Sequence, residues 1–206
     1  MVVESHLRSD AARNLARILD AARDVFAERG LDASVADVAE RAGVGTATIF
    51  RRFPTKEDLC AAVMRREIDD MVAVAEEAPD LDTFLTRAIE RFVSNRCLCE
   101  VAGTHLFERP ELVEQVVRVQ ESVEGLLRRE QKAGRIRGDV VGADIGFLLG
   151  AIGQQGLRLE RTAPGAWRRY AELALDGLRP EGATKLKHKP PTPQQLHEAK
   201  TSGSPS

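Results

Sequence analysis

Apolar positions recur along this chain at helical rather than strand spacing. Leu15, Ile18, Leu19, Ala22, Val25 and Phe26 fall at i, i+3, i+4, i+7, i+10 and i+11, which is one face of a helix. Gly30 ends that helix, as a residue free to turn left-handed does. Ser34, with Asp37 three residues on, opens a second helix through a variant capping box, and Gly43 breaks it. A short third helix is expected over 46–53. Pro54 stops it, because the residue before a proline is pushed out of helical geometry. Thr55 and Asp58 repeat the capping pattern for a fourth helix, to about 78. Beyond Pro79 the pattern predicts helices over 81–101, from Pro110 to 133, over 141–161, and from Thr162 and Pro164 to 177. A short segment, 104–109, and a turn, 134–139, separate them. No stretch alternates as a strand would. The expected fold is all-α with about nine helices.

Composition adds boundaries to this picture. The chain has 206 residues, 43% hydrophobic and 30% charged, in the range of a globular protein. No apolar run approaches the roughly 18 residues of a membrane span, and the first residues lack an apolar signal core. Three cysteines without framework spacing suit a reducing compartment, so the expected location is the cytoplasm. Five of the nine prolines fall in 180–206, where little is left to bury, and this stretch reads as a disordered tail. Lys185, Lys187, Lys189 and Lys200 make it basic. The reading is therefore a head over 1–54, a helical body over 55–179 and the tail.

The stretch 34–53, SVADVAERAGVGTATIFRRF, carries the chemistry. Two short helices that cross at a turn need a small residue at the crossing (Ala39), a left-handed turn (Gly43) and an apolar plug from the second helix (Ile49). Val35, Val38, Val44 and Phe53 complete a small core with the first helix. Burying Ile49 and Phe53 turns Gly45, Thr46, Ala47, Thr48 and Phe50 outward, with Arg51 and Arg52 at the end. Small side chains let a helix approach base edges, threonines offer hydroxyls and methyls, and arginines reach guanine or phosphate. Lys56 and the start of the fourth helix are placed for phosphate contacts, and Ser34 joins the expected DNA-binding set. Residues 1–60 hold nine Lys/Arg and ten Asp/Glu, so placement rather than net charge makes the argument. Arg8 and Arg13 suit either an N-terminal arm in the minor groove or a solvated charged run.

The run AGVGTATIFRRFPTKEDL resembles the signature of the tetracycline-repressor (TetR) family, closely over about residues 10–60 and by helix count beyond. The family often has Ser where Gly45 stands and Tyr where Phe50 stands, so two hydroxyl contacts are absent here. The resemblance implies a sequence-specific transcriptional regulator: a repressor that binds double-stranded DNA at a palindromic operator as a homodimer and is released by a small-molecule effector. It implies no cofactor or metal. It also implies a four-helix dimer interface made by the last two long helices, whose residues here would be Ile145, Leu149, Ile152, Gly153, Trp167, Tyr170 and Ala174. An effector pocket in the body would draw on Phe92, Cys97, Cys99, His105, Phe107, Phe147, Gln154 and Gln155, each of which also reads as plain core or surface.

Two other classes of protein compete with this reading on the residues. Cys97, Cys99 and His105 suggest a thiol or metal site, but residues two apart on a helix face different ways. No phosphate loop, paired carboxylates or nucleophile elbow occurs, so no enzyme is expected; redox sensing through Cys97 or Cys99 stays open. A helical scaffold that binds only proteins would explain the helices and not the small, basic outer face of the third.

Overall fold

The computed structural model describes residues 2–101, 106, 109–192 and 195, with side chains from residue 12 onward apart from Glu111. Among them are nine α-helices and no strand. The helices are α1 (Val2–Arg29), α2 (Val35–Ala42), α3 (Thr46–Phe50), α4 (Lys56–Glu77), α5 (Leu81–Ser94), α6 (Arg96–Val101), α7 (Pro110–Lys132), α8 (Gly142–Leu159) and α9 (Trp167–Leu178), with a 3₁₀ turn at Gly30–Asp32. The architecture is a small head, α1 to α3, continued by α4 into a helical body. No described helix is long and apolar enough to cross a membrane.

Local chemistry sets the head's turns. The Ser34 hydroxyl accepts the Asp37 N–H at 3.1 Å, and the Asp37 carboxylate accepts the Ser34 N–H at 2.8 Å. Thr55 and Asp58 repeat the exchange at 3.1 and 3.0 Å, so each helix start has its first donors satisfied. Gly43 closes α2 at φ 64, and its N–H returns to the carbonyls of Ala39 and Glu40. Such a conformation costs a residue with a Cβ about 1–2 kcal/mol. α3 is shorter than the pattern suggested, but the Phe53 N–H still reaches the Ile49 carbonyl at 2.8 Å, so the difference is a frayed last turn.

The expected helix over 81–101 is two. Asn95 takes an extended conformation (φ −129, ψ 96), and its side-chain oxygen accepts the Leu98 N–H at 3.0 Å. A short amide that bonds nearby backbone offers an alternative to the helical ladder, and here it wins. The segment 104–109 falls mostly outside the described residues. α9 begins at Trp167 rather than near Thr162, after a turn in which the Gly165 N–H donates to Glu160. The start of the expected tail is held down: the Leu186 N–H donates to Asp139 at 3.0 Å, and Arg137 donates to the Thr184 carbonyl.

In the body α4 lies along α7, α5 lies along α8, and α9 packs on α8 and α5. Phe84, Leu85 and Leu81 of α5 meet Leu126 and Leu127 of α7, Ile136, Ile145 of α8 and Leu178 of α9 in one apolar cluster. The head has no closed core of its own. Ile18, Phe26, Val38 and Ile49 share a cluster with Leu59, Val63 and Met64 of α4 and with Cys97, Leu98 and Val101 of α6. Apolar packing therefore runs across residue 54. A polar clamp adds to it: the buried Glu67 and the neighbouring Asp70 of α4 are both held by Arg23 of α1 and Arg91 of α5.

Candidate nucleic-acid interface

The crossing of α2 and α3 fixes which side chains face outward. Val35, Val38, Ala39 and Ala42 bury one face of α2, and Ile49 is fully buried beneath α3. The rest of α3 turns away from the core: Gly45, Thr46, Ala47, Phe50, Arg51 and Arg52 are exposed, and Thr48 is half-buried. No acid lies in α3 or in the two arginines that follow it. Phe50 is 46% exposed, a large apolar ring on an otherwise small and polar surface. Ser34 is exposed, but both its hydroxyl and its N–H are engaged with Asp37. That capping contact, with the Ser34 N–H as the leading cause, holds the Asp37 carboxyl below its usual range.

Lys56 does not project freely. Its ammonium donates to the Leu31 carbonyl, in the turn between α1 and α2. The same turn is gripped from the body. The Leu31 N–H donates to Glu100 of α6 at 2.7 Å, while Arg96 of α6 bonds Glu100 at 2.5 Å and Asp32 at 2.8 Å. At the start of α4, Arg109 donates to Asp58 at 2.7 Å, the main cause of that carboxyl's lowered pKa. The turn between α1 and α2 is thus fastened to α4 and α6, and the start of α4 is fastened to the residue before α7. These ties join residues far apart in sequence, and no local pattern announces them. Arg8 lies inside α1, not in an arm that precedes it.

The body residues expected to line a pocket are not brought together. Cys97 is fully buried in the cluster shared with the head, and Cys99 is buried with its thiol donating to the Phe92 carbonyl. Phe147 is 70% exposed on the outer face of α8, where Gln154 and Gln155 are exposed as well. Phe92 is half-buried between clusters, and His105 and Phe107 lie outside the described residues. Grooves occur at Arg137, Gly138, Asp139 and Lys185, and at Arg29, Asp37 and Arg41; none of the expected pocket residues lines them.

The expected dimer face divides in two. Ile145 and Trp167 are buried within their own protomer, and Gly153 is filled from the same chain: a Cβ there would stand 2.6 Å from Phe92 Cβ. A Cβ on Gly156 would meet Val93 and Trp167, so these two glycines let α8 lie close on α5 and α9. Leu149, Ile152 and Ala174 are half-buried, and Tyr170 is 51% exposed. Leu173 of α9 and Phe147 of α8, not expected at this face, are exposed as well. A helical period alone could not say which apolar stripe faces inward.

A buried plug, a left-handed glycine turn and an acid-free outer face on the second helix define a helix-turn-helix DNA-binding regulator. Residues 18–63 match the model of the bacterial regulatory proteins of the tetR family, and residues 79–180 match the C-terminal domain of SbtR-like transcriptional regulators. The chain belongs to the TetR family. A TetR transcription regulatory protein from Mycobacterium vanbaalenii is 31% identical, with 84% of this chain and 99% of that one covered and a TM-score of 0.61. FadR from Bacillus subtilis, solved in complex with stearoyl-CoA, shares the fold at 20% identity, with a TM-score of 0.57 over 80% of this chain and all of that one. A curated helix-turn-helix transcriptional regulator of Staphylococcus aureus (strain USA300) is 33% identical over 75 residues, which span 36% of this chain and 40% of that relative's length.

Proposed function

We propose that this regulator is a repressor that reads a palindromic operator as a homodimer and is released by a small-molecule effector. The observation that carries the reading is the outer face of α3, where exposed small and threonine side chains lead into exposed Arg51 and Arg52. Gly45, Thr46, Ala47, Thr48 and Phe50 approach base edges and sugar, and the two arginines reach guanine or phosphate. Ser34 supports this surface as a cap. Lys56 serves it by fixing the turn at Leu31, with its positive charge beside the backbone of the bound duplex.

Tyr170, Leu173 and Phe147 supply the apolar centre of a two-fold contact between α8 and α9 of two copies, flanked by the half-buried Leu149, Ile152 and Ala174. Two copies related in this way set their α3 helices one helical turn of DNA apart, about 34 Å, or a simple multiple of it. The effector enters between α5, α7 and α8, where Phe92 and Gln115 would meet it. Gln115 is buried with its side-chain oxygen lacking a hydrogen-bond partner, a polar demand that a ligand donor would meet. The stearoyl-CoA held by the Bacillus subtilis neighbour supports a ligand-binding body, without naming the guest here. The protein acts in the cytoplasm, where DNA is found.

Selection of bound duplexes from a random pool, followed by sequencing, tests the proposal. Enrichment of an inverted repeat is expected. A folded dimer that enriches no sequence at low salt would refute it and would favour the scaffold reading.

A further inference from the structure

Two of the three thiols meet where the head joins the body. Cys60 stands in the second turn of α4, Cys97 stands at the start of α6, and their sulfurs are 3.7 Å apart with both side chains buried. The geometry points to a reversible disulfide site, Cys60–Cys97, formed by a hydroperoxide, that staples α4 to α6 and resets the grip of the body on the DNA-reading head.

The contact has the makings of a reactive pair. The two sulfurs share one S–H contact in which either can donate; that contact lowers the Cys60 pKa against its burial, with Lys56 and Arg109 favouring the thiolate and Glu57 opposing it. The Cys60 contact and burial push the Cys97 thiol up, so Cys60 is assigned as the attacking partner; the disulfide is the same product whichever sulfur attacks first. Cys99 differs. Its thiol is spent on the Phe92 carbonyl, and burial pushes it up to about 12. It is a spectator.

The chemistry balances as a two-electron oxidation. The Cys60 thiolate attacks one peroxide oxygen, the O–O bond breaks, and the departing oxygen leaves as water or alcohol after taking a proton. The resulting Cys60 sulfenic acid is attacked by Cys97 sulfur, the S–O bond breaks, and hydroxide leaves as water with the proton from Cys97. The sulfurs must close by roughly 1.6 Å to reach bonding distance. α6 has six residues and is separated from α5 by the break at Asn95, so a small local opening both admits a peroxide and allows this approach.

The two helices joined by the bond are the two that hold the head. α4 begins directly after α3 and is tied to Leu31 through Lys56. α6 holds Leu31 and Asp32 through Glu100 and Arg96. Movement of one helix toward the other therefore shifts the head on the body. This consequence rests on the DNA-binding reading; the disulfide itself does not.

The test treats the unsubstituted full chain with hydrogen peroxide, blocks remaining thiols, and maps tryptic peptides without reduction. The expected product is a link between the Glu57–Arg65 peptide and the one that begins at Cys97, with loss of about 2 Da, reversed by dithiothreitol. Cys99→Ala should keep the link and Cys97→Ala should abolish it. The oxidised protein should melt at least about 5 °C higher, since the bond closes a loop of nearly forty residues. Free thiols at 60 and 97, a bond between chains, a Cys97–Cys99 bond, or only added oxygen would each overturn the site. On one selected duplex, oxidised and reduced protein should differ in affinity about fivefold or more; equal affinities would overturn the reset of the head. Reduced protein that binds no duplex would instead refute the proposed function, and the peptide map would still decide the disulfide.

Discussion

Gly30 should be a sensitive position outside the apolar clusters, because its backbone conformation and the Glu100 carboxylate both stand against a side chain there. It sits at φ 62, buried at the end of α1, and a Cβ built there would lie 2.1 Å from a Glu100 carboxylate oxygen. Gly30→Ala therefore carries two costs. The left-handed backbone costs about 1–2 kcal/mol for a residue with a Cβ. The displaced carboxylate loses its bond from the Leu31 N–H, worth about 1 kcal/mol once partial solvent exposure is allowed for. The sum is about 2–3 kcal/mol, or a Tm lower by roughly 4–12 °C for a chain of this size. Glu100→Ala alone should cost about 1 kcal/mol through the same lost bond, plus a few tenths for the exposed pairing with Arg96. In the double variant that loss is counted once, so the two single costs added together should exceed the double by about 1 kcal/mol. Urea unfolding at one fixed protomer concentration, with slopes compared among variants, measures all three. Additivity within about 0.3 kcal/mol would refute the reasoning, because it would mean the Cβ and the carboxylate do not compete for one volume.

Other perturbations separate the roles of neighbouring residues. Gly45 has an ordinary φ of −74 and nothing within 4 Å of a Cβ, so Gly45→Ser should be tolerated, add an N-cap to α3 worth a few tenths of a kcal/mol, and tighten duplex binding. Lower affinity in a binding titration would show that the bare backbone is what the groove requires. Arg51→Ala should weaken binding and reduce the salt slope by about 1 if it meets a phosphate; an unchanged slope would place it on a base edge. On α8, Gly153→Ala should destabilise by about 1–3 kcal/mol because Phe92 must move, while Gly146→Ala, with nothing within 4 Å, should raise the monomer's helical stability. Asp37 and Asp58 have folded pKa values depressed by Ser34 and by Arg109. Their contribution is present above the ordinary carboxylate range near 4 and is lost as pH falls through and below it. Asp37→Asn should make the acid unfolding of the head less steep when followed by circular dichroism.

The head was legible because its rules are short-range. Ser34 with Asp37, Gly43 and Pro54 act within a few residues, and each acts where the pattern placed it. The break at Asn95 was missed because the apolar period continues through it: Ile89, Val93 and Cys97 are all buried, and only the side-chain bond to the Leu98 N–H reveals the change of direction. The inward faces of α8 and α9 are hidden from the sequence for a related reason. Both helices carry apolar residues around much of their circumference, so period could not separate Ile145 and Trp167, which close the protomer, from Phe147 and Leu173, which do not.

What no window of sequence shows is that the head depends on the body. Its core is completed by Leu59, Val63 and Met64 from α4 and by Leu98 and Val101 from α6, and its first turn hangs on Glu100. A head cut away after Pro54 would expose that surface and lose the partner of the Leu31 N–H. The same dependence makes a regulator possible. A head that folded alone on a loose tether would present α3 identically whatever happened in the body. A head that shares its core with α4 and α6 cannot keep its position when those helices move, so any chemistry that shifted them would move α3 as well.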